Sequence, residues 1–284
     1  MRNATEPVAF LIMFARTLYV IKDTIIRLVK QGKLKFQTKS NPQGRPLKIE
    51  NVDALSLALY QHASGRVTKK SVYEDFKGAL TCSYKTLACA VNRAGMHAAK
   101  LLFMLMREGK KDAHVIKMTD ATDLPVCLMK NMGHHRTMRG LAELARSTKG
   151  WFYGLKMTIT RDLEGRLLGL VFSSANKNDR ELFASIDKDI GGVILADAGY
   201  VSKKLEKKMN VEGRRWVVIQ PKKTMKKIAL PWQLKLYRLR FKIEFDFRSM
   251  KLFHGLVTSM PRSVNGYLAN YLNAVCSFVV MQQS

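Results

Sequence analysis

Asp120 closes the stretch HVIKMTDA (114–121) and Asp197 closes GGVILADA (191–198), so each acid stands at the end of a β-prone apolar run. Open α/β sheets gather their chemistry at the carboxyl ends of strands, which lets the two acids converge. Converging carboxylates repel one another unless a cation lies between them, and hard oxygen ligands suit Mg²⁺ held together with phosphates and water. The plainer alternative is that Asp197 caps the helix that follows it.

A second group lies in YRLRFKIEFDFRSMK (237–251), where Tyr237, Arg240, Glu244 and Lys251 stand at offsets 0, 3, 7 and 14. On one continuous helix turning about 100° per residue, all four fall within about 60° of one another. Leu236, Leu239, Ile243, Phe247 and Met250 cluster about 90° round the same helix and form its core stripe. An aromatic ring, two cations and an acid on one face can look into a site, or can form an ordinary solvated face with an i, i+4 Arg240–Glu244 pair.

The elements that must position these residues fall into two segments. Residues 1–110 read as an all-helical domain, with helical spacing in VDALSLALYQ, SVYEDFKGAL and SYKTLACAVNRAGMHAAKLLFMLM. Such helices with basic ends are compatible with a helix-turn-helix DNA reader, and KSNPQGRPLK (39–48) reads as an exposed linker. Residues 111–284 read as an α/β domain. A first strand ends at Asp120, a hairpin joins GLKMTITRD to RLLGLVFSSA, and a helix over about 179–188 precedes the strand ending at Asp197. A lysine-rich helix, the strand RWVVIQP (215–221) and helices over about 233–253 and 264–282 complete a mixed sheet flanked by helices.

Composition narrows the partner. The chain has 284 residues, 49 Lys plus Arg against 22 Asp plus Glu, and a net charge of +27. Such a chain fits poorly with an enzyme for small neutral ligands and attracts a polyanion, with nucleic acid foremost. Residues 201–262 alone carry 17 Lys plus Arg against 4 Asp plus Glu, and the runs KKLEKK and PKKTMKK, the second containing Lys222 and Lys223, read as grips on a phosphate backbone. The apolar run VAFLIMFA (8–15) is too short to span a bilayer and reads as part of a core-facing helix. Cys82, Cys89, Cys127 and Cys276 include no C-x-x-C pair and read as reduced core residues. Trp232 either stacks on an unpaired base or packs in the core.

The four-residue pattern from Tyr237 to Lys251 resembles the Y-(2)-R-(3)-E-(6)-K signature around the third acid of the DDE transposases of bacterial insertion sequences. DAGY (197–200) is similar to the block after the second acid, and TDATDLPVC (119–127) resembles the block containing the first. GWFYGLKMTI (150–159) and SSANKNDREL (173–182) also resemble stretches of that family, so the likeness spans residues 113–284. It implies an RNase H-like catalytic fold in which Asp120, Asp197 and Glu244 bind two Mg²⁺ ions, or Mn²⁺ in their place. It also implies DNA cleavage at the ends of a mobile element and strand transfer into target DNA, with Tyr237, Arg240 and Lys251 holding phosphates near the cut. The expected partners are element ends, target DNA and further copies of the chain in a synaptic dimer or larger assembly, in the bacterial cytoplasm at the nucleoid and with no membrane.

Two features depart from the family pattern. Ala121 follows Asp120 where Ser or Thr is usual, and Asp123 stands three residues on as a rival first acid. A long insertion, LMKNMGHHRTMRGLAELARSTKG (128–150), precedes the hairpin; its His134 and His135 could help bind DNA, but read more readily as a plain exposed loop pair. A nuclease that cuts without joining, and an inactive DNA-binding descendant, are the alternative readings.

Overall fold

The computed structural model describes residues 6–36, 46–186, 188–200, 207–211, 214–219, 230–257 and 261–283. The chain forms two compact units, Met1–Met104 with Ser249–Ser284, and Leu105–Arg248.

The first unit is helical: α1 (Glu6–Lys30), α2 (Asn51–Ala63), α3 (Lys69–Phe76), the greater part of α4 (Tyr84–Lys111) and α9 (Val264–Gln282). α2 is buried at every position from Ala54 to His62, because α1 and α9 both pack on it. A helix apolar on one stripe alone could not accept two such neighbours, and the run ALSLALY supplies apolar or small side chains all round. α4 and α9 approach so closely that a Cβ on Gly95 would stand 2.7 Å from the Cβ of Ala269. Thr68 and Ser263 cap α3 and α9 by accepting from Ser71 N and Gly266 N. The sequence reading ran 111–284 on as one segment; here Ser249–Ser284 join the N-terminal helices, drawn by the apolar α9.

Among its described residues the second unit has six strands: β1 (Ile116–Pro125), β2 (Glu143–Ser147), β3 (Gly150–Asp162), β4 (Leu167–Ser174), β5 (Gly192–Ala196) and β6 (Arg215–Ile219). They run in the order β2-β3-β1-β5-β6, and β4 pairs β3 along Leu155–Arg161. Pairing is antiparallel around β3 and parallel from β1 through β5 to β6. α5 (Asp179–Ile186) buries Phe183 against Ile194, Ala196, Tyr200 and Met209, the last from α6, a helix described over 207–211. Gly154 is required where β3 crosses β1, since a Cβ there would fall 2.2 Å from the carbonyl oxygen of Leu124.

Three expectations are corrected. The insertion at 128–150 is not a plain loop: Met129–His134 form a 3-10 turn, and β2 pairs the Gly150–Gly154 end of β3, which β4 leaves uncovered. His134 is exposed, but the His135 ring packs edge-on to Tyr153 at 6.3 Å, so the two are not an exposed pair. The helix read over 233–253 is two helices, α7 (Pro231–Leu239) and α8 (Phe241–Leu252), which meet at Arg240. There the backbone tightens, with Arg240 N bonding Tyr237 O and Ile243 N bonding Arg240 O, both three residues back.

Of the proposed core stripe, Ile243, Phe247 and Met250 are buried and Leu236 and Leu239 half-buried. Cys82 and Cys276 are buried and all four cysteines are free, but Cys89 is exposed rather than core. Trp232 is 53% exposed, which rules out the core reading. The side chains of residues 8–14 and the lysine-rich stretches 201–206 and 220–229, with Lys222 and Lys223, lie outside the described residues.

Candidate active site

The site is set by an unequal pair of parallel strands. β1 and β5 pair from Ile116 opposite Val193 to Met118 opposite Leu195, and β5 ends one residue later at Ala196. Carrying the same register two residues further sets Asp120 level with Asp197. Asp120 is therefore the fifth residue of a ten-residue strand rather than its last; it is the neighbour that ends, and the chain turns away through a 3-10 turn at Ala198–Tyr200. β1 continues because β3 pairs with it as far as Pro125.

Arg240 closes the site from the helical side. Its Nη1 donates to Asp120 Oδ2 at 3.0 Å and its Nη2 to Glu244 Oε1 at 2.7 Å. One guanidinium, 15% exposed, thus bridges acids from a strand and a helix that are distant in sequence. The backbone N–H of Ala121 donates to Asp120 Oδ1 at 2.8 Å. Burial pushes the Asp120 carboxyl up to about 6; Arg240 and the Ala121 amide oppose this, while the charges of Asp197 and Glu244 add to it. Asp120 therefore feels both of the other acids, and all three gather on one locality of the second unit.

Donor chemistry fits a divalent cation, since all three are carboxylates, the hard oxygen ligands such an ion favours. Among the described residues, no three His, Cys, Asp or Glu side chains stand close enough to enclose one ion in the arrangement that Arg240 holds. Asp123 faces differently: three residues along β1 from Asp120, it points to the opposite face of the sheet, at the register position of Lys156.

The remaining candidates are dispersed. Tyr237 is buried near the end of α7, and its expected phosphate contact would need an exposed hydroxyl. Lys251 is half-buried in the last turn of α8 and belongs to the first unit. The link from Arg240 to Asp120 was not legible beforehand: the i, i+4 spacing reports Glu244, whereas the partner 120 positions away depends on the strand register. A second missed pairing is Arg161 of β3 with Asp246 of α8, both buried, which ties the helix bearing Glu244 to the sheet.

The second unit is thus a mixed α/β sheet whose neighbouring parallel strands bring two acids level, beside a third from a helix. Residues 110–263 match the protein-family model of the transposase DDE domain, more than half of the chain, and the protein belongs to that family, with transposase function. Among solved structures, the chain is similar to a piggyBac transposase in a synaptic complex with hairpin DNA, at 7% identity and a TM-score of 0.49 over 84% of this chain and 69% of that one. No curated protein matches it. Among the described residues, no helix is long and apolar enough to cross a membrane.

Proposed function

We propose that the protein is the transposase of a bacterial insertion sequence, cutting DNA at the element's ends and joining the freed 3′ ends to target DNA. The observation that carries this reading is the gathering of Asp120, Asp197 and Glu244 at the β1–β5 junction, inside the segment that matches the transposase family. The strand order, with a hairpin antiparallel to β1 and parallel strands beyond it, supports an RNase H-like catalytic fold.

In this reading the three acids hold two Mg²⁺ ions, which when bound supply Lewis-acid neutralisation of charge at phosphorus and lower the pKa of an attacking water. The chain's own residues do the rest. Asp120 is fixed in place by the Ala121 amide, and Glu244 is carried on a helix pinned by Arg161 and Asp246. Arg240 has a planar fork suited to a phosphate of the cut strand, and Lys251 acts as a point charge. Water and then the freed 3′-hydroxyl are the successive nucleophiles. The surplus of cations over 201–262, including Lys222 and Lys223, supports DNA as the partner, and the first unit's helices are proposed to read the element's ends.

A nuclease lacking strand transfer is the second reading, because both reactions use the same centre. The test uses a duplex carrying the inverted repeats that flank the coding region. Incubated with the protein, Mg²⁺ and a target plasmid, it should yield 3′-end cleavage followed by covalent joining. Cleavage without any joined product would leave the nuclease reading standing, and neither product would sink both.

A further inference from the structure

Arg240 sits where a cation belongs. Its guanidinium donates to Asp120 and Glu244 together, at 3.0 and 2.7 Å, and those are two of the three acids proposed to hold the divalent ions. The Asp120 arm is well covered, with the Arg240 side chain 15% exposed and that of Asp120 18%, whereas Glu244 is 44% exposed. Arg240 also stands at the junction of α7 and α8, where the backbone bonds tighten to three-residue spacing, so its position is set by the break between the helices.

We propose that Arg240 is an internal counter-ion that competes with the divalent cation, so that DNA, by drawing the guanidinium onto a phosphate, makes metal uptake depend on substrate. This rests on the reading of Asp120, Asp197 and Glu244 as metal ligands and adds a coupling to it. With no DNA bound, a divalent ion competes with a guanidinium already bonded to one oxygen of Asp120 and one of Glu244, and its positive charge opposes the ion's approach to both. A phosphate of the cut strand offers the same fork two acceptor oxygens, and the guanidinium is always charged, so it passes from one anion to another with no proton moved. Two ligands that each gain when Arg240 leaves the acids bind cooperatively, and the coupling is reciprocal. An apo enzyme so arranged keeps a low level of loaded metal until DNA arrives, which limits stray nicking.

The experiment measures Mn²⁺ binding to the full chain by electron paramagnetic resonance, for wild type, Arg240→Gln and Asp120→Asn, with and without a short duplex carrying the flanking inverted repeat. Expected without DNA is binding to Arg240→Gln that is tighter than to wild type by about 5-fold or more, a scale typical of such coupling. With the duplex present, wild type should tighten and the gap should narrow. Equal affinities without DNA, with binding lost in Asp120→Asn, would overturn this proposal and leave the metal reading intact. No Mn²⁺ binding to any of the proteins, with or without DNA, would overturn both. Should Arg240→Gln lose its circular-dichroism signature, Arg240→Lys replaces it; lysine keeps the charge but cannot fork across both acids, so a smaller gain in the same direction is expected and no gain counts against the proposal.

Discussion

Arg161 of β3 donates to Asp246 of α8, and both side chains are buried. Burial pushes the Asp246 carboxyl above the usual carboxylate range even though the guanidinium pulls it down, so the pair acts more as a registry device than as a source of net stability. Asp246 lies two residues from Glu244, and the pair fixes the rotation and height of the helix that carries it. Asp246→Ala leaves Arg161 charged and unpaired, at a cost of about 3 to 5 kcal/mol. Thermal unfolding of the metal-free protein should register this as a lowered midpoint. A double change to an apolar pair of similar volume should recover much of it, and an unchanged midpoint in the single variant would show that the pair does not hold the helix.

The raised carboxyl of Asp120 makes a pH signature. Its value in the fold is about 6 against an ordinary 3.8, so the folded chain binds this proton more tightly than the unfolded chain. The contribution is fully present below the ordinary value and is lost as pH rises through about 6, on the order of 2 to 3 kcal/mol in the metal-free protein. Asp120→Asn cannot titrate and should lack that fall. The check is a pair of urea denaturation series between pH 4 and 7; identical slopes for the two proteins would mean that Asp120 ionises normally.

His62 in the helical unit predicts the opposite trend over the same range. Its Nδ1–H donates to the His254 carbonyl at 2.7 Å, and burial pushes its pKa down to about 4 from 6.5. A base lowered in the fold stays neutral while the unfolded chain takes up a proton, so stability is lost as pH falls below 6.5 towards 4, on the order of 3 kcal/mol for this group. Hydrogen exchange should therefore show α2 losing protection on mild acidification. Protection of α2 that is flat from pH 7 to 5, after correction for intrinsic exchange, would contradict it.

Much of the site was legible in the sequence because its parts are local. Asp120 and Asp197 end or follow apolar β-prone runs, and Arg240 with Glu244 keeps helical spacing even across the α7–α8 break, since Arg240 itself stays in helical backbone conformation. What the sequence could not carry was non-local. The identity of the strand that stops at the site, β5 rather than β1, depends on how far β3 supports β1, and the Arg240–Asp120 contact follows from that register. No strand was legible at β2, whose five residues, ELARS, alternate poorly and lie inside the insertion; only the uncovered edge of β3 selects it as a strand. The same limit applies to α9, whose hydrophobic residues announce burial without naming the surface that buries them.

The charge surplus predicts how DNA affinity responds to salt. With 49 Lys plus Arg in the chain and 17 of them over 201–262, binding should release many condensed counterions. Affinity for a duplex should then fall steeply between low and physiological salt, by about 0.9 log units per decade of salt for each phosphate contact. Fluorescence anisotropy over a range of NaCl gives the slope directly. A flat response would argue against a phosphate grip by the basic segments.

The last prediction separates the acids from one another and from the DNA-binding surface. Asp197→Asn and Glu244→Gln change one charge each at the β1–β5 junction and leave the basic segments untouched, so both should bind DNA with near wild-type affinity and lose cleavage. Loss of a metal ligand removes stabilisation of the transition state rather than of the bound DNA, and a fall of about 100-fold or more corresponds to roughly 2.7 kcal/mol. Asp120→Asn should behave like them, since Asp120 shares Arg240 with Glu244 and stands level with Asp197. Asp123→Asn should keep activity within a few fold, because a strand alternates its side chains and position 123 faces away from position 120. Single-turnover cleavage of the flanking-repeat duplex at saturating Mg²⁺, run beside anisotropy binding on the same preparations, distinguishes the cases. An inactive Asp123→Asn with an active Asp120→Asn would move the first acid three residues along β1 and detach Arg240 from the catalytic centre.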